Sequence, residues 1–383
     1  MMFSRQNNKD SGLAIVTHTY CNKNCAYCQR TALPNNDFTL SFPELKRSIK
    51  QLGNIRLHYK PKIYFTGGEP MLWEDGEYDI LDVLIECSRQ GVKPVIATNG
   101  SRFVDIDYAK HFVEEYLQKV NIPLSIWITA DRWHGNICRK TGTIAAVDTL
   151  QQAIKESSNT EAHIKLFLQS TISLSGPEWQ IQVLKNYLNK GILFKVNPLM
   201  PWGKGKAFLE NCPTISLLDK SQNRLGAYEP FLALACMASG VITNFREFQE
   251  ISNRTVIDGL LRCGRTPYLV KDGYYHCLGQ VGNSWFKICG LGELSTSKVA
   301  KFYHERPVLS TFYNLGPVWL LEQLENQCNW NKKRLHKYWK QPQPLGFPGC
   351  NLCQALTNDG VLEEANILIA KGKIRPYSVG ANT

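Results

Sequence analysis

A chain of 383 residues has length for two or three domains and a sizeable core, and its 43% hydrophobic, 20% charged composition is that of an ordinary globular protein. The longest apolar run, residues 231–242, is broken by Ser239 and Gly240 and is too short to cross a bilayer. The N-terminal MMFSRQNNKD has no signal-peptide core, so the sequence predicts a cytoplasmic protein without a membrane partner. The 44 Lys and Arg against 33 Asp and Glu leave a net charge of +11, which serves solubility or, more sharply, an acidic partner: a carboxylate-rich peptide, a phosphorylated small molecule or RNA. The charge is spread along the chain, with Lys332-Lys333-Arg334 as a local run, which does not favour nucleic acid.

In chain order, apolar runs alternate with amphipathic segments, the pattern of βα units. Leu13–Thr17 reads as the first strand. Ser41 and Glu44 then form a capping box, with Pro43 in the first turn and Leu40 and Leu45 as a staple, and Gly53 is expected to end that helix. Lys62–Thr66 is the second strand, followed by a helix that puts Ile80, Leu81, Leu84 and Ile85 on one face and stops near Gly91. Further strands are expected at Pro94–Thr98, Leu124–Thr129, Ile164–Ile172 and Ile192–Val196. A helix carrying Ile144, Val147, Leu150 and Ile154 precedes the fifth strand, and another, Pro177 to Lys190, precedes the sixth. Leu232 to Ile242 reads as a buried helix. From Cys263 short aromatic stretches, glycines and cysteines replace the long periods, which places a boundary near 260. The expected division is 1–200, a bridging segment 201–262, and 263–383.

Thirteen cysteines in a reducing compartment point to metal ligands or reactive thiols. The densest group is Cys21-Asn-Lys-Asn-Cys25-Ala-Tyr27-Cys28, directly after the first strand. Three thiolates this close can hold three irons of a [4Fe-4S] cluster and leave the fourth open to chemistry. Zinc would want a fourth partner, and this loop has none nearby. Thr66-Gly67-Gly68-Glu69-Pro70 follows the second strand.

Together, C-x3-C-x-aromatic-C and the GGEP segment, in this order and each at a strand end, resemble the radical S-adenosylmethionine (radical SAM) superfamily. The resemblance covers about residues 10 to 200 well and the rest more loosely. It implies an α/β fold, a partial (β/α)6 TIM-like barrel with ligands at the C-terminal ends of the strands. Cys21, Cys25 and Cys28 would then ligate the cluster, whose open iron is chelated by the amino and carboxylate groups of S-adenosylmethionine (SAM). Tyr27 matches the aromatic position near the adenine. Gly67, Gly68, Glu69 and Pro70 match the segment that receives the SAM amino group, where a Cβ would block backbone approach. Thr129 and Asp131 followed by Arg139 match a hydroxyl-x-Asp and basic pattern that holds the ribose or carboxylate, with Thr here where Ser is commoner. Thr98 and Asn99 line the same mouth or make a turn. Cys138 is a candidate hydrogen-atom donor, with a small buried apolar role as the plainer reading. Asp131-Arg-Trp133-His134 offers substrate contacts and an acid–base group at His134, with a structural histidine as the plainer reading.

Cys263, Cys277, Cys350 and Cys353 resemble the ligands of the auxiliary cluster in the SPASM/twitch extension. No cysteine follows Cys353, so a single-cluster, small α+β twitch-like domain fits better than the longer form, with a second [4Fe-4S] cluster; a structural zinc site would use four thiolates equally well. The resemblance implies reductive cleavage of SAM to a 5′-deoxyadenosyl radical that abstracts a hydrogen atom, with an electron donor such as flavodoxin or ferredoxin. The leading substrate is a ribosomally made peptide that is cross-linked, epimerised or oxidised. No peptide-recognition domain precedes the first strand, so a separate protein would supply one. The alternative is oxidation or epimerisation of a small molecule, a sugar, aminocyclitol or nucleotide. A metal-bearing RNA-binding protein would leave the GGEP segment without a job.

Overall fold

The computed structural model describes residues 12–32, 37–55, 61–130, 142–157, 163–172, 187, 190, 192–198, 202–209, 214–215, 241–242, 267–328, 330, 332–340, 343–344 and 348–374. The strands in chain order are β1 (Gly12–Val16), β2 (Lys62–Thr66), β3 (Glu74–Asp75), β4 (Tyr78–Asp79), β5 (Lys93–Thr98), β6 (Leu124–Thr129), β7 (Ile164–Ile172) and β8 (Leu193–Pro198). Then come β9 (Thr214–Ile215), β10 (Val241–Ile242), β11 (Tyr268–Val270), β12 (Gly273–Tyr275), β13 (Lys287–Gly290) and β14 (Gln343–Pro344). The main sheet runs β10-β8-β7-β6-β5-β2-β1-β11-β12-β13. From β1 through β2, β5, β6 and β7 to β8 every neighbour is parallel, which is the partial (β/α)6 barrel expected. β10 closes one edge antiparallel to β8. At the other edge β11 pairs in parallel with β1, and β12 and β13 add antiparallel strands. Residue 260 itself lies outside the described residues, but the hairpin beyond it is hydrogen-bonded into the barrel sheet.

The helices that follow these strands are α1 (Phe42–Asn54), α2 (Ile80–Arg89), α3 (Ile106–Lys119) and α4 (Thr143–Glu156). α1 starts as the sequence predicts: the Glu44 carboxylate accepts from the Ser41 N–H at 2.8 Å and the Ser41 hydroxyl at 2.9 Å. Gly53 does not end it. The helix continues to Asn54, and Gly53 sits where a Cβ would meet the Gln90 carbonyl at 3.0 Å, so close helix–turn packing, not a stop, uses the missing side chain. α2 does stop at Gly91, which has φ +64° and donates to Ser88 O at 3.0 Å while Val92 N–H reaches Cys87 O at 2.9 Å. That pair of bonds satisfies the last carbonyls of the helix. The buried face of α2 is Ile80, Val83, Leu84 and Cys87, with Leu81 and Ile85 on its flank. α3 goes beyond the helices expected: Ala109, Phe112, Val113 and Tyr116 carry the helical period and the Asp105 carboxylate caps it, accepting from the Asp107 and Tyr108 amides at 2.9 and 3.2 Å. Asp105→Ala should cost about 1 kcal/mol and lower the thermal midpoint by about 2 °C, read by calorimetry. An unchanged midpoint would show that the cap does not matter.

Val241 and Ile242 form strand β10, not the end of the buried helix expected from residue 232; two β-branched residues beside the edge of β8 pair with it. The rest of that segment, and the helix expected over 177–190 apart from Tyr187 and Lys190, lie outside the described residues. Beyond the barrel come α5 (Lys204–Leu209), α6 (Thr296–Glu305), α7 (Pro307–Gln327, kinked at Gly316), α8 (Lys332–Lys340), α9 (Pro348–Asn358) and α10 (Val361–Ala370). Of the basic run that opens α8, Arg334 pairs with Glu364 through two nitrogens at 3.0 and 2.6 Å. No helix among the described residues is long and apolar enough to cross a membrane.

The two faces of the sheet differ. Leu13, Ile15, Ile63, Phe65, Leu124, Ile126 and Ile128 are fully or nearly fully buried, whereas Lys62, Tyr64, Ser125 and Trp127 on the alternate positions are only partly so. The Tyr64 and Trp127 rings stand 5.1 Å apart although β5 lies between their strands, and Trp127 continues to Phe167 at 6.1 Å. Backbones two strand spacings apart lie about 9.6 Å from each other. Rings this close over an intervening strand mark the concave side. The inner face is therefore partly open and aromatic, and the helices cover the other.

Candidate active site

At the C-terminal end of β1 the chain continues through residues 17–20 between two neighbours. On one side Thr17 N–H donates to Thr66 O at 2.9 Å, and Gly68 and Glu69 N–H donate to His18 O at 2.7 Å and Tyr20 O at 2.8 Å. On the other, Leu40 N–H donates to Thr17 O at 2.8 Å and Thr19 N–H to Phe38 O at 3.1 Å. The glycine pair makes this contact possible. Gly67 has φ +147°, and a Cβ on Gly68 would stand 1.5 Å from Tyr20 O. The backbone that first occupies the space left by the missing Cβ atoms is thus the chain's own, the segment leading into Cys21.

Glu69 joins the ends of β2 and β5. It is 1% exposed, and its carboxylate accepts from the Thr98 hydroxyl at 2.6 Å, the Asn99 amide N–H at 2.6 Å and Met71 N–H at 3.1 Å. Asn99, fixed in this way, turns its side-chain amide to the cysteine loop: Nδ2 lies 2.9 Å from Asn22 Oδ1 and 3.8 Å from Cys21 Sγ. Asn22 in turn donates to Ser101 Oγ at 2.9 Å. Thr98 and Asn99 therefore stand at the end of β5 beside the cysteine loop, Asn99 through its own amide and Thr98 through Glu69. Glu69→Ala would orphan three buried donors; a loss of about 3 kcal/mol or more is expected in urea unfolding. Glu69→Gln, which keeps one acceptor, should lose less, and equal losses would remove this account.

Cys25 and Tyr27 are buried, and Cys21 and Cys28 are half-buried. Burial pushes the Cys21 thiol up to about 11; the Lys23 N–H, 3.4 Å from its sulfur, works the other way, and the Glu69 charge and the Cys25 and Cys28 thiols raise it further. Three thiols in one eight-residue loop, with amide donors from Lys23 and Asn99 at one sulfur, are a donor set suited to a cluster of several irons. Among the described residues no three His, Cys, Asp or Glu side chains gather as for a single metal ion; thiolates on separate irons of a cluster need to stand further apart than that. The loop is also held from outside the barrel, because Lys204 at the start of α5 donates its N–H to Cys28 O at 3.0 Å and its ammonium to Asn24 Oδ1. Lys204 carried no motif that would have flagged it. An open cleft of about 370 Å³, lined by Thr19, Tyr20, Cys21, Asp37, Phe38 and Thr39, lies beside the loop.

Thr129 ends β6, nearly buried, and its carbonyl accepts the Thr143 hydroxyl at 2.9 Å. Pro70 opens a single helical turn, residues 70–72. Asp131, Trp133, His134, Cys138 and Arg139 lie outside the described residues, as does Cys263. Cys277 follows β12, and Cys350 and Cys353 are one turn apart on α9. Cys87 is fully buried in α2.

Residues 15–164 match the family described as the Radical SAM superfamily. That stretch is a radical SAM domain, and it holds both the cysteine loop and the GGEP segment. The chain is 28% identical over 167 residues to a protein of Pyrococcus abyssi described as "Probable GTP 3',8-cyclase", a match spanning 44% of this chain and about half, 48%, of that protein. An uncharacterized protein of Methanocaldococcus jannaschii is 26% identical over 265 residues, 65% of this chain and 86% of its own. Among solved structures, one described as "Native anSMEcpe with bound AdoMet and Cp18Cys peptide" superposes with a TM-score of 0.48 at 14% identity, over 94% of this chain and 99% of that one.

Proposed function

We propose that this protein holds a [4Fe-4S] cluster on Cys21, Cys25 and Cys28, binds SAM beside it, and abstracts a hydrogen atom from a ribosomally made peptide, leaving it cross-linked, epimerised or oxidised. The observation that carries the reading is the hydrogen-bonded junction of three strand ends, in which Glu69 of the GGEP segment fixes Asn99 against Cys21. When bound, the cluster supplies the electron that cleaves SAM to methionine and a 5′-deoxyadenosyl radical. The chain's part is positioning. Gly67 and Gly68 bring the second strand's loop onto the backbone before Cys21, Glu69 locks Thr98 and Asn99, and Lys204 ties the cysteine loop to α5. The concave face, with Tyr64, Trp127 and Phe167, is the chamber for substrate.

The peptide reading draws on the cysteines after the barrel, and with it goes a second [4Fe-4S] cluster on Cys263, Cys277, Cys350 and Cys353. A second reading, a nucleotide substrate, is favoured by the match to the probable GTP 3',8-cyclase. The test is anaerobic reconstitution with iron and sulfide, then dithionite or reduced flavodoxin with SAM, and assay of 5′-deoxyadenosine. About eight irons per chain with SAM cleavage support both clusters, and about four with cleavage remove the second. Absence of 5′-deoxyadenosine from a loaded protein, with or without added peptides, would overturn the proposal. Consumption of added GTP alongside cleavage would replace the peptide by the nucleotide.

A further inference from the structure

We infer that Arg30 is the anchor for an oxyanion, a carboxylate or phosphate, carried by the substrate on the concave face of the barrel. The inference rests on reading that face as the substrate chamber. Arg30 stands two residues after Cys28, in the single helical turn 29–32 that follows the cysteine loop. Its guanidinium Nη2 donates to the Thr66 hydroxyl at 2.5 Å, and its central carbon lies 5.4 Å from the centre of the Tyr268 ring.

The register shows where that puts the group. Thr66 is level with Val16 of β1 and Tyr268 with Ala14, two positions on the same face of β1, one from each flanking strand. Alternation along β2 puts Thr66 on the side of Tyr64, whose ring meets Trp127 across β5. Arg30 thus spans β1 on the inner face, below the cysteine loop and beside the aromatic row.

Its other terminal nitrogen, Nη1, is sealed from solvent and has no hydrogen-bond partner among the described residues. No carboxylate among them pairs with it. A guanidinium carries five donors in a fixed fork suited to a two-oxygen acceptor, and a buried charged donor left unmade is costly. Thr66 and the Tyr268 ring hold the fork in place while one arm stays unused. The held guanidinium thus has donor capacity to spare for an anion that opens the cover over Nη1, and this agrees with the charge of +11. The aromatic row beside it gives the rest of such a substrate a flat apolar wall.

The test is equilibrium dialysis of inorganic phosphate and of succinate against the iron-loaded protein saturated with SAM, for wild type, Arg30→Gln and Arg30→Lys. Wild type should retain one anion per chain. Arg30→Gln should weaken retention about tenfold or more and Arg30→Lys by less, with iron content and SAM affinity within twofold of wild type. Preference for phosphate assigns a phosphorylated substrate; preference for succinate assigns a carboxylate. If Arg30→Gln fails to load iron, Arg30→Lys carries the test alone. Equal retention by wild type and variant, or no retention by either, overturns the inference. A tenfold fall in SAM affinity also overturns it, because Arg30 would then serve SAM. Failure of the radical SAM reading would look different: wild type itself would bind neither cluster iron nor SAM.

Discussion

Cys25→Ser is expected to remove about four irons per chain after anaerobic reconstitution and to lower 5′-deoxyadenosine formation by about 10³-fold or more. Cys25 is the most buried thiol of the loop, and serine is close to it in size, so the loop's packing changes little. The hydrogen bond that Cys28 makes to residue 25 uses the backbone carbonyl and survives the substitution. Stability measured by urea unfolding of the iron-free protein should stay within about 1 kcal/mol of wild type. The combination separates a ligand from a structural residue: chemistry and iron vanish while the fold stays. Undiminished iron in Cys25→Ser would sink the assignment of this loop. Cys353→Ser should leave SAM cleavage measurable and remove iron only from the proposed second site.

Gly68→Ala should be the most damaging single methyl in the domain. The added carbon would lie 1.5 Å from Tyr20 O and 2.2 Å from its carbonyl carbon, both backbone atoms that no rotamer change can move away. Either the GGEP loop or the segment before Cys21 must shift, and the bonds from Gly68 to His18 and from Glu69 to Tyr20 go with it. A destabilisation of about 3 kcal/mol is expected, with loss of SAM cleavage even where the protein remains folded. Gly76→Ala is the control. Its φ of +65° makes the substitution cost about 1 kcal/mol, but nothing lies within 4 Å and no site residue depends on it. Equal stability and equal activity of the two variants would show that the close approach does not matter.

Much of the barrel was legible because its signals are local. β2, β6 and β7 have the bounds the sequence predicts, since each is an alternating or continuous apolar run. The cysteine loop and GGEP segment were legible as spacing. What escaped depends on contacts between distant parts. Gly53 reads as a stop in a one-dimensional pattern, yet its use is the approach of the Gln90 turn. α3 has both a cap and a period, but its apolar positions are diluted by charged residues between two strands with stronger apolar runs. Lys204 and Arg30 belong to no motif, and only folding puts one against the Cys28 carbonyl and the other between Thr66 and Tyr268. The strand pairing of Val241 and Ile242 needs the edge of β8, which no window around residue 240 contains.

The pairing of β11 with β1 has a consequence for biosynthesis. β1 is made first, and β2 covers one of its edges about fifty residues later; the other edge waits for Tyr268 to Val270. At ribosomal rates of about 5–20 residues per second, the roughly 200 intervening residues take about 10–40 s to synthesise. Throughout that interval a short apolar strand, leading into the three cysteines of the loop, presents an open edge to any passing strand. Ribosome-bound chains stalled before residue 266 should therefore aggregate or bind chaperones more than full-length chains released from the ribosome. Iron delivered to the loop early would be delivered to an unfinished sheet.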